Sequence, residues 1–170
     1  VPTVFNFLGP LANPVGVRRY ALGVSDQRMA ERMIRVLSLL GAESAFVVHG
    51  EDGLDEVTTS GPTYIYRLRD GEITHAQFTP EDFGIRRSKL ADLAGGDVAD
   101  NVRILRGILE GEKGPRRDAA IVNAAVGLVA AGIAEGFVEG VKVATESVDS
   151  GAAAEVLERV VKRSQELAAG

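Results

Sequence analysis

The 170-residue sequence contains no cysteine and no tryptophan, and aromatic residues make up only 5% of it. Without cysteine the chain has no disulfide, no thiolate metal site and no cysteine nucleophile. Its two histidines, His49 and His75, are too few for a cage of several histidines around a metal. The longest nearly apolar stretch, residues 119–134, is shorter than the roughly 20 apolar residues that span a bilayer. We therefore expect a cytoplasmic protein without a membrane segment.

Basic residues are also fewer than acidic ones. The chain has 19 Lys and Arg against 24 Asp and Glu, a formal net charge of −5. A nucleic-acid binder that works by neutralising phosphates needs clustered Lys and Arg, so nucleic acid is not an expected partner. Hydrophobic residues make up 45% of the chain, enough for a folded globular domain rather than a disordered segment.

The first half of the chain alternates between strand and helix patterns. Residues 20–24 and 45–48 are short apolar runs, and helical spacing from Met29 to Leu40 lies between them. This pattern predicts a βαβ unit with two parallel strands. Residues 63–69 and 72–78 flank an Asp-Gly pair, which is a strong signal for a β-hairpin.

The second half predicts helices separated by glycine. The fold class is therefore α/β, a parallel sheet flanked by helices with a small β-hairpin. A doubly covered parallel sheet usually has five or six strands, so the predicted sheet is incomplete. The predicted helices span residues 88–94, 98–110, 115–131, 137–149 and 152–168.

An acidic loop follows the second predicted strand and carries four carboxylates within residues 51–56. Ligands of open parallel sheets bind beyond the carboxyl ends of the strands. Adjacent Asp55 and Glu56 suit Mg²⁺, which takes oxygen ligands from one or two carboxylates plus substrate phosphates. The alternative is an ordinary solvated acidic turn. His49, at the end of the strand, is interpreted as a structural residue bonded to the loop rather than a catalytic one, and His75 as a surface residue of the hairpin.

Three further features are candidates for a site. Gly9, in a corner stiffened by Gly-Pro and Asn-Pro pairs, permits close approach of a ligand, although the residues alone favour a stiff connector. Arg116 and Arg117 begin a helix, where the macrodipole disfavours cations; they suggest an anion site or salt bridges to Asp118 or nearby acidic loops. A stripe of mostly small residues predicts a core-facing helix surface on which one asparagine needs a polar partner: Ala120, Asn123, Ala124, Gly127, Leu128 and Ala131.

Several of these segments together resemble the anthranilate phosphoribosyltransferase family. Residues 5–14, FNFLGPLANP, match the family pattern F-N-x-L-G-P-L-x-N-P, and residues 47–56 match V-x-H-G followed by G-x-D-E. Residues 95–97, residues 114–125 and residues 149–151 follow in the family's order. The resemblance thus runs nearly from end to end and identifies the chain as similar to the C-terminal half of such enzymes.

This resemblance implies transfer of phosphoribosyl from phosphoribosyl pyrophosphate (PRPP) to the amine of anthranilate, a step of tryptophan biosynthesis that releases pyrophosphate. It implies that Asp55 and Glu56 bind Mg²⁺ and that Gly9 lines the substrate site; it assigns no catalytic residue within the chain. The fold it implies is part of the large α/β domain of the nucleoside phosphorylase/phosphoribosyltransferase-like fold. Residues 15–170 would belong to that domain, and residues 1–14 would be a remnant of the helical domain and its connector.

One motif of the family is missing from these residues, which bears on the activity expected of the isolated chain. The family's G-T-G-G-D pyrophosphate loop is not in these 170 residues. We therefore expect the isolated chain to be inactive, whereas intact family members are homodimers that bind PRPP and anthranilate. Two alternatives stay open: an enzyme like pyrimidine nucleoside phosphorylase, which shares the fold, and a non-catalytic structural or interaction module.

Overall fold

The computed structural model describes residues 9–169, which form a sheet followed by helices. The predicted turn of helix at Val4, Phe5 and Leu8 lies outside the described residues. The strands and the first helix are β1 (Arg19–Gly23), α1 (Gln27–Leu39), β2 (Ser44–Gly50), β3 (Thr63–Arg69) and β4 (Glu72–Phe78). The remaining helices are α2 (Val98–Leu109), α3 (Pro115–Ala131), α4 (Phe137–Asp149) and α5 (Ala152–Ala168).

The βαβ unit predicted from the sequence is confirmed. β1 and β2 pair in parallel, and α1 connects them. The helix begins at Asp26, whose side chain accepts a hydrogen bond from the backbone N–H of Arg28 at 2.9 Å. This cap satisfies one of the free N–H groups at a helix start.

The hairpin is confirmed as well, and it extends the same sheet. Asp70 and Gly71 both take positive φ values, 52° and 80°, as a tight two-residue turn requires. β3 pairs antiparallel with both β2 and β4, so the strand order is β1-β2-β3-β4 and the sheet is mixed. The hairpin therefore supplies half of the four strands.

Strand β2 is buried on both faces because helices cover both sides of the sheet. Ala45 and Val47 pack with α1, in a cluster that includes Ile34 and Leu37. The alternate residues Phe46 and Val48 lie in a second cluster, whose members on the other face are Val57, Ile65, Phe83, Val122, Val126 and Ala130. The continuous apolar run in the sequence reflects this double coverage.

The helical half differs from its prediction in two places. Residues 88–94 form only a short 3₁₀ turn, Leu90–Leu93, in which the Asp92 side chain accepts from the backbone N–H of Lys89. The predicted core stripe on α3 is also wrong in part, because Ala120, Ala124 and Ala131 are exposed. Burying the larger aliphatic side chains removes more apolar surface from water. The face that packs inward accordingly carries Ile121, Val122, Ala125, Val126 and Ala130.

The remaining helices keep the predicted bounds, apart from a one-residue difference at the end of α2. Gly140 of α4 lies so close to α3 that an added Cβ would come within 2.9 Å of the Ala125 carbonyl oxygen. Among residues 9–169 no helix is long and apolar enough to cross a bilayer.

Candidate functional site

A cavity of about 200 Å³ opens where β1 and β2 end. Asp55 and Glu56, the two carboxylates singled out from the sequence, both line it. The rest of its wall comes from the two strands and from α3: Ala21, Leu22, Gly23, Val48, Asn123 and Val126. The structure therefore places the acidic pair at the carboxyl end of the parallel strands, where ligands of such sheets bind.

The acidic loop is held from within by Asp52. One oxygen of this carboxylate accepts from the hydroxyls of Thr58 and Ser60, both at 2.5 Å, and the other accepts from the backbone N–H of Leu54 at 3.2 Å. Partial burial opposes ionisation of Asp52, but these hydrogen bonds outweigh it and lower its pKa. Asp52 is therefore a structural carboxylate that shapes the loop, in contrast to the pair that follows it.

Asn123 holds the loop from α3. Its Oδ1 accepts from the backbone N–H of Val57 at 2.8 Å, and its Nδ2 donates to the Val57 carbonyl at 3.0 Å. The same Nδ2 donates to the Ala119 carbonyl at 3.0 Å. Val57 is only 2% exposed, so Asn123 provides partners for backbone groups that water does not reach. The asparagine that needed a polar partner thus fixes the residue directly after Glu56.

Gly23 brings the loop onto the end of β1. A Cβ added at this glycine would lie 1.4 Å from the Asp55 carbonyl oxygen, which no side chain permits. The backbone of Asp55 therefore rests directly on β1, and Gly23 is needed for that close approach.

The acidic pair carries uncompensated negative charge. Partial burial, and then the neighbouring charge of Asp55, raise the pKa of Glu56 above its ordinary value. Neither carboxylate takes part in a salt bridge within residues 9–169. A divalent cation would relieve this repulsion.

Two carboxylates are a sparse donor set. Across the described part of the chain, no group of three or more His, Asp or Glu side chains is arranged to hold a metal ion. Mg²⁺ commonly takes only one or two carboxylates and completes its shell with water and substrate phosphate oxygens. The pair therefore fits an ion that is shared with a phosphorylated substrate, and does not fit an all-protein metal cage.

Both histidines have structural contacts, as expected from the sequence, but the hydrogen-bond partner of His49 is not the acidic loop. Nδ1 of His49 lies 2.9 Å from the Val24 carbonyl oxygen, and the ring stacks on Tyr64 with centroids 6.4 Å apart. His75 is exposed on β4 and stacks on Tyr66 at 5.4 Å. Both rings have structural contacts, and neither lines the cavity of Asp55 and Glu56.

Gly9 is exposed at the start of the described chain, and an added Cβ would meet no atom within 4 Å. Leu11, two residues further on, packs against the hydrophobic cluster between α1 and the sheet. Gly9 is not among the described residues that line the cavity of Asp55 and Glu56. The structure thus brings the two carboxylates together without Gly9.

The arginine pair has different partners from those expected. Arg117 is 5% exposed and donates to Asp149, at the end of α4, with Nη2 and Oδ1 2.5 Å apart. Arg116 donates to the Ala94 carbonyl at 2.6 Å, and neither arginine pairs with Asp118. A hydrogen bond from Lys113, and the charges of Arg117 and Lys113, lower the pKa of Asp149. Residues 149–151 belong to the segments that match the family, but the pairing of Asp149 with Arg117 was not predictable because 32 positions separate the two residues.

A family model described as the a/b domain of a glycosyl transferase family matches residues 1–154. The chain belongs to this glycosyl transferase family. It is 46% identical over 159 residues to the anthranilate phosphoribosyltransferase of Rhodopseudomonas palustris strain BisA53, and 51% identical over 161 residues to that of Anaeromyxobacter sp. strain Fw109-5. These matches cover 94% and 95% of the chain but 47% and 48% of the relatives, so the chain spans about half their length.

Solved structures agree with this assignment. The anthranilate phosphoribosyltransferase of Thermus thermophilus superposes with a TM-score of 0.86 at 40% identity, over 95% of this chain and 48% of the other. The Saccharomyces cerevisiae enzyme in complex with PRPP and Mg gives a TM-score of 0.83 at 33% identity, over 93% and 46%. The expected fold, part of the α/β domain of such transferases, is confirmed.

Proposed function

We propose that this chain carries the metal-binding carboxylates of an anthranilate phosphoribosyltransferase. The observation that carries the proposal is the uncompensated pair Asp55 and Glu56 in a cavity at the carboxyl end of the parallel strands. Relatives at 46–51% identity have this activity as their name, and a yeast relative has been solved with PRPP and Mg. On this proposal residues 15–170 form the C-terminal part of the α/β domain, and residues 1–14 a remnant of the helical domain and its connector.

The reaction breaks the bond between C1 of the ribose and the pyrophosphate oxygen and forms a bond from C1 to the anthranilate nitrogen. The amine gives up a proton, and pyrophosphate leaves with the electron pair of the broken bond. Mg²⁺, when bound, would neutralise charge on the pyrophosphate. Asp55 and Glu56 would hold that ion at the strand ends, while Asn123 and Gly23 keep the loop in place. Catalysis then rests on positioning and electrostatic stabilisation.

Gly9 is proposed to lie beside the bound substrate. It is exposed and has open space where a side chain would be, which suits close approach of a ligand to the backbone.

The experiment combines this chain with the half of the Thermus thermophilus relative that it does not match. The assay follows consumption of anthranilate in the presence of PRPP and Mg²⁺. We expect turnover by the combination and none by the chain alone, since the pyrophosphate loop is not in these 170 residues. Turnover of a pyrimidine nucleoside with phosphate, and none with PRPP, would instead establish the phosphorylase alternative.

The metal assignment has its own measurement. Mn²⁺ binding to the combined halves in the presence of PRPP, read from water proton relaxation, should weaken in the double variant Asp55→Asn with Glu56→Gln. Glu51→Gln is the matched control, because Glu51 is exposed on the same loop and does not line the cavity. Equal Mn²⁺ binding by the double variant and the control would refute the assignment. Absence of both metal binding and turnover would support the non-catalytic module.

A further inference from the structure

The sequence contains two Asp-Gly pairs, Asp52-Gly53 and Asp70-Gly71, and no Asn-Gly pair. Glycine has no Cβ to shield its backbone nitrogen, so this nitrogen can attack the side-chain carboxyl carbon of the preceding aspartate. The two pairs therefore offer the same chemistry in different surroundings. Those surroundings decide whether each pair reacts.

The Asp52-Gly53 pair is held on both sides of the bond that would form. The Asp52 carboxylate accepts hydrogen bonds from the hydroxyl of Thr58 and from the backbone N–H of Leu54. The backbone N–H of Gly53 donates to the Gly50 carbonyl at 2.9 Å. Attack requires the carboxyl carbon and the nitrogen to turn towards each other, so these hydrogen bonds would have to break first.

The Asp70-Gly71 pair, in contrast, forms the tip of the hairpin between β3 and β4. The Asp70 side chain is 91% exposed, and its salt-bridge partner is Arg69, with Nε and Oδ2 3.7 Å apart. Within residues 9–169 the N–H of Gly71 donates to no carbonyl oxygen. Neither the electrophile nor the nucleophile of this pair is therefore restrained as its counterpart in the acidic loop is.

The turn holds Asp70 in a conformation that costs energy. Its φ of 52° lies in the left-handed region, which is unfavourable for a residue with a Cβ, and Asp70 is the sole non-glycine residue with positive φ among residues 9–169. β4 is the outer strand of the sheet, and six of its seven residues are exposed. Few buried contacts therefore oppose local opening of the hairpin tip.

We propose that Asp70 is a site of spontaneous isoaspartate formation, and that the acidic loop protects Asp52 from the same reaction. The Gly71 nitrogen forms a bond to Cγ of the protonated Asp70 carboxyl group, while the amide proton and the carboxyl hydroxyl leave together as water. One water molecule then opens the resulting succinimide. Cleavage between the Gly71 nitrogen and the α-carbonyl carbon of Asp70 directs the chain through the side-chain carbonyl and frees the α-carboxylate.

The modification lengthens the main chain by one methylene group at the turn. Turn type and loop length set the register of a hairpin, so the two-residue turn between β3 and β4 is lost in the product. The freed α-carboxylate is the group that a protein isoaspartyl methyltransferase methylates with S-adenosylmethionine. The inference concerns the hairpin alone and does not depend on the proposed transferase function.

The test incubates the 170-residue chain at mildly acidic pH and maps its peptides by electron-transfer fragmentation, which distinguishes the isomers at unchanged mass. We expect isoaspartate to accumulate at residue 70 at least about 10-fold faster than at residue 52, because hydrogen bonds must break before attack at residue 52. The same chain in denaturing urea is the reference, in which the two pairs should react at similar rates. Equal rates in the folded chain, or isomer at residue 70 in urea only, would overturn the proposal.

Variants test each half of the proposal. Asp70→Gly keeps a residue that accepts positive φ at the turn, and it should abolish most methyl transfer from S-adenosylmethionine to the incubated chain. Thr58→Val with Ser60→Ala removes both hydroxyls that bond the Asp52 carboxylate, and it should raise the rate at residue 52 several-fold. Methyl transfer that persists in Asp70→Gly would reject Asp70 as the site. An unchanged rate at residue 52 in the double variant would reject the protection assigned to the loop.

Discussion

Replacing Asn123 by alanine tests how the acidic loop is held. The substitution removes the two hydrogen bonds that Val57 makes through its backbone N–H and carbonyl. Val57 is 2% exposed, so water does not replace them. Leaving a buried polar group without a partner costs about 1–3 kcal/mol, and two such groups give an expected loss of about 2–6 kcal/mol in the free energy of unfolding. That is a large part of the roughly 5–15 kcal/mol by which domains are stable.

The chain contains a matched control for this experiment. Asn101 makes the same pair of bonds, to the backbone N–H and carbonyl of Gly96, both at 3.1 Å. Both residues lie in helices, so alanine brings the same gain in helix propensity. Asn101 and Gly96 are exposed, and water can replace the lost bonds. We expect Asn101→Ala to cost no more than about 0.5 kcal/mol.

The assay is urea unfolding of the two variants and the parent chain. With an m-value of about 2 kcal/mol per molar urea, Asn123→Ala should lower the unfolding midpoint by about 1–3 M. Asn101→Ala should leave the midpoint nearly unchanged. Equal midpoints for the two variants would show that burial at Val57 does not carry the effect, and the reasoning about the loop would then be wrong.

Two further predictions concern the same loop. Asp52 has a lowered pKa in the fold, so the stability it adds is present above its unfolded pKa, about 4, and is lost as the pH falls through its folded pKa. Asp52→Asn should therefore be less stable than the parent chain at about pH 7. In urea titrations this difference in stability should shrink towards about pH 3. Gly23→Ala should strongly lower the melting temperature, because the added Cβ would overlap the Asp55 carbonyl. Gly127→Ala is the control: Gly127 lies within α3, and its added Cβ would meet no atom within 4 Å. This control should leave the melting temperature unchanged or raise it slightly.

The sequence by itself determined most of the local structure. The Asp-Gly turn and the alternation around it specify the hairpin, since the turn geometry and the strand period are both local properties. Residues 115–131, 137–149 and 152–168 are helices with the bounds that their glycine stops predict. The acidic loop was also recognisable, because Asp55 and Glu56 follow a buried strand and belong to a run that matches the family pattern.

Tertiary structure decided what surrounds that loop. Asn123 and Val57 are 66 positions apart, and only the packing of α3 on the sheet brings them within hydrogen-bonding distance. In the same packing, α3 buries its Ile and Val face rather than the predicted stripe, because burial of these larger side chains removes more apolar area from water. The contacts of Phe46 with Arg67 and with Phe137 likewise arise from strand register and from the packing of another element. Periodicity and turn chemistry act over a few residues, whereas burial and pairing are set by which elements pack together.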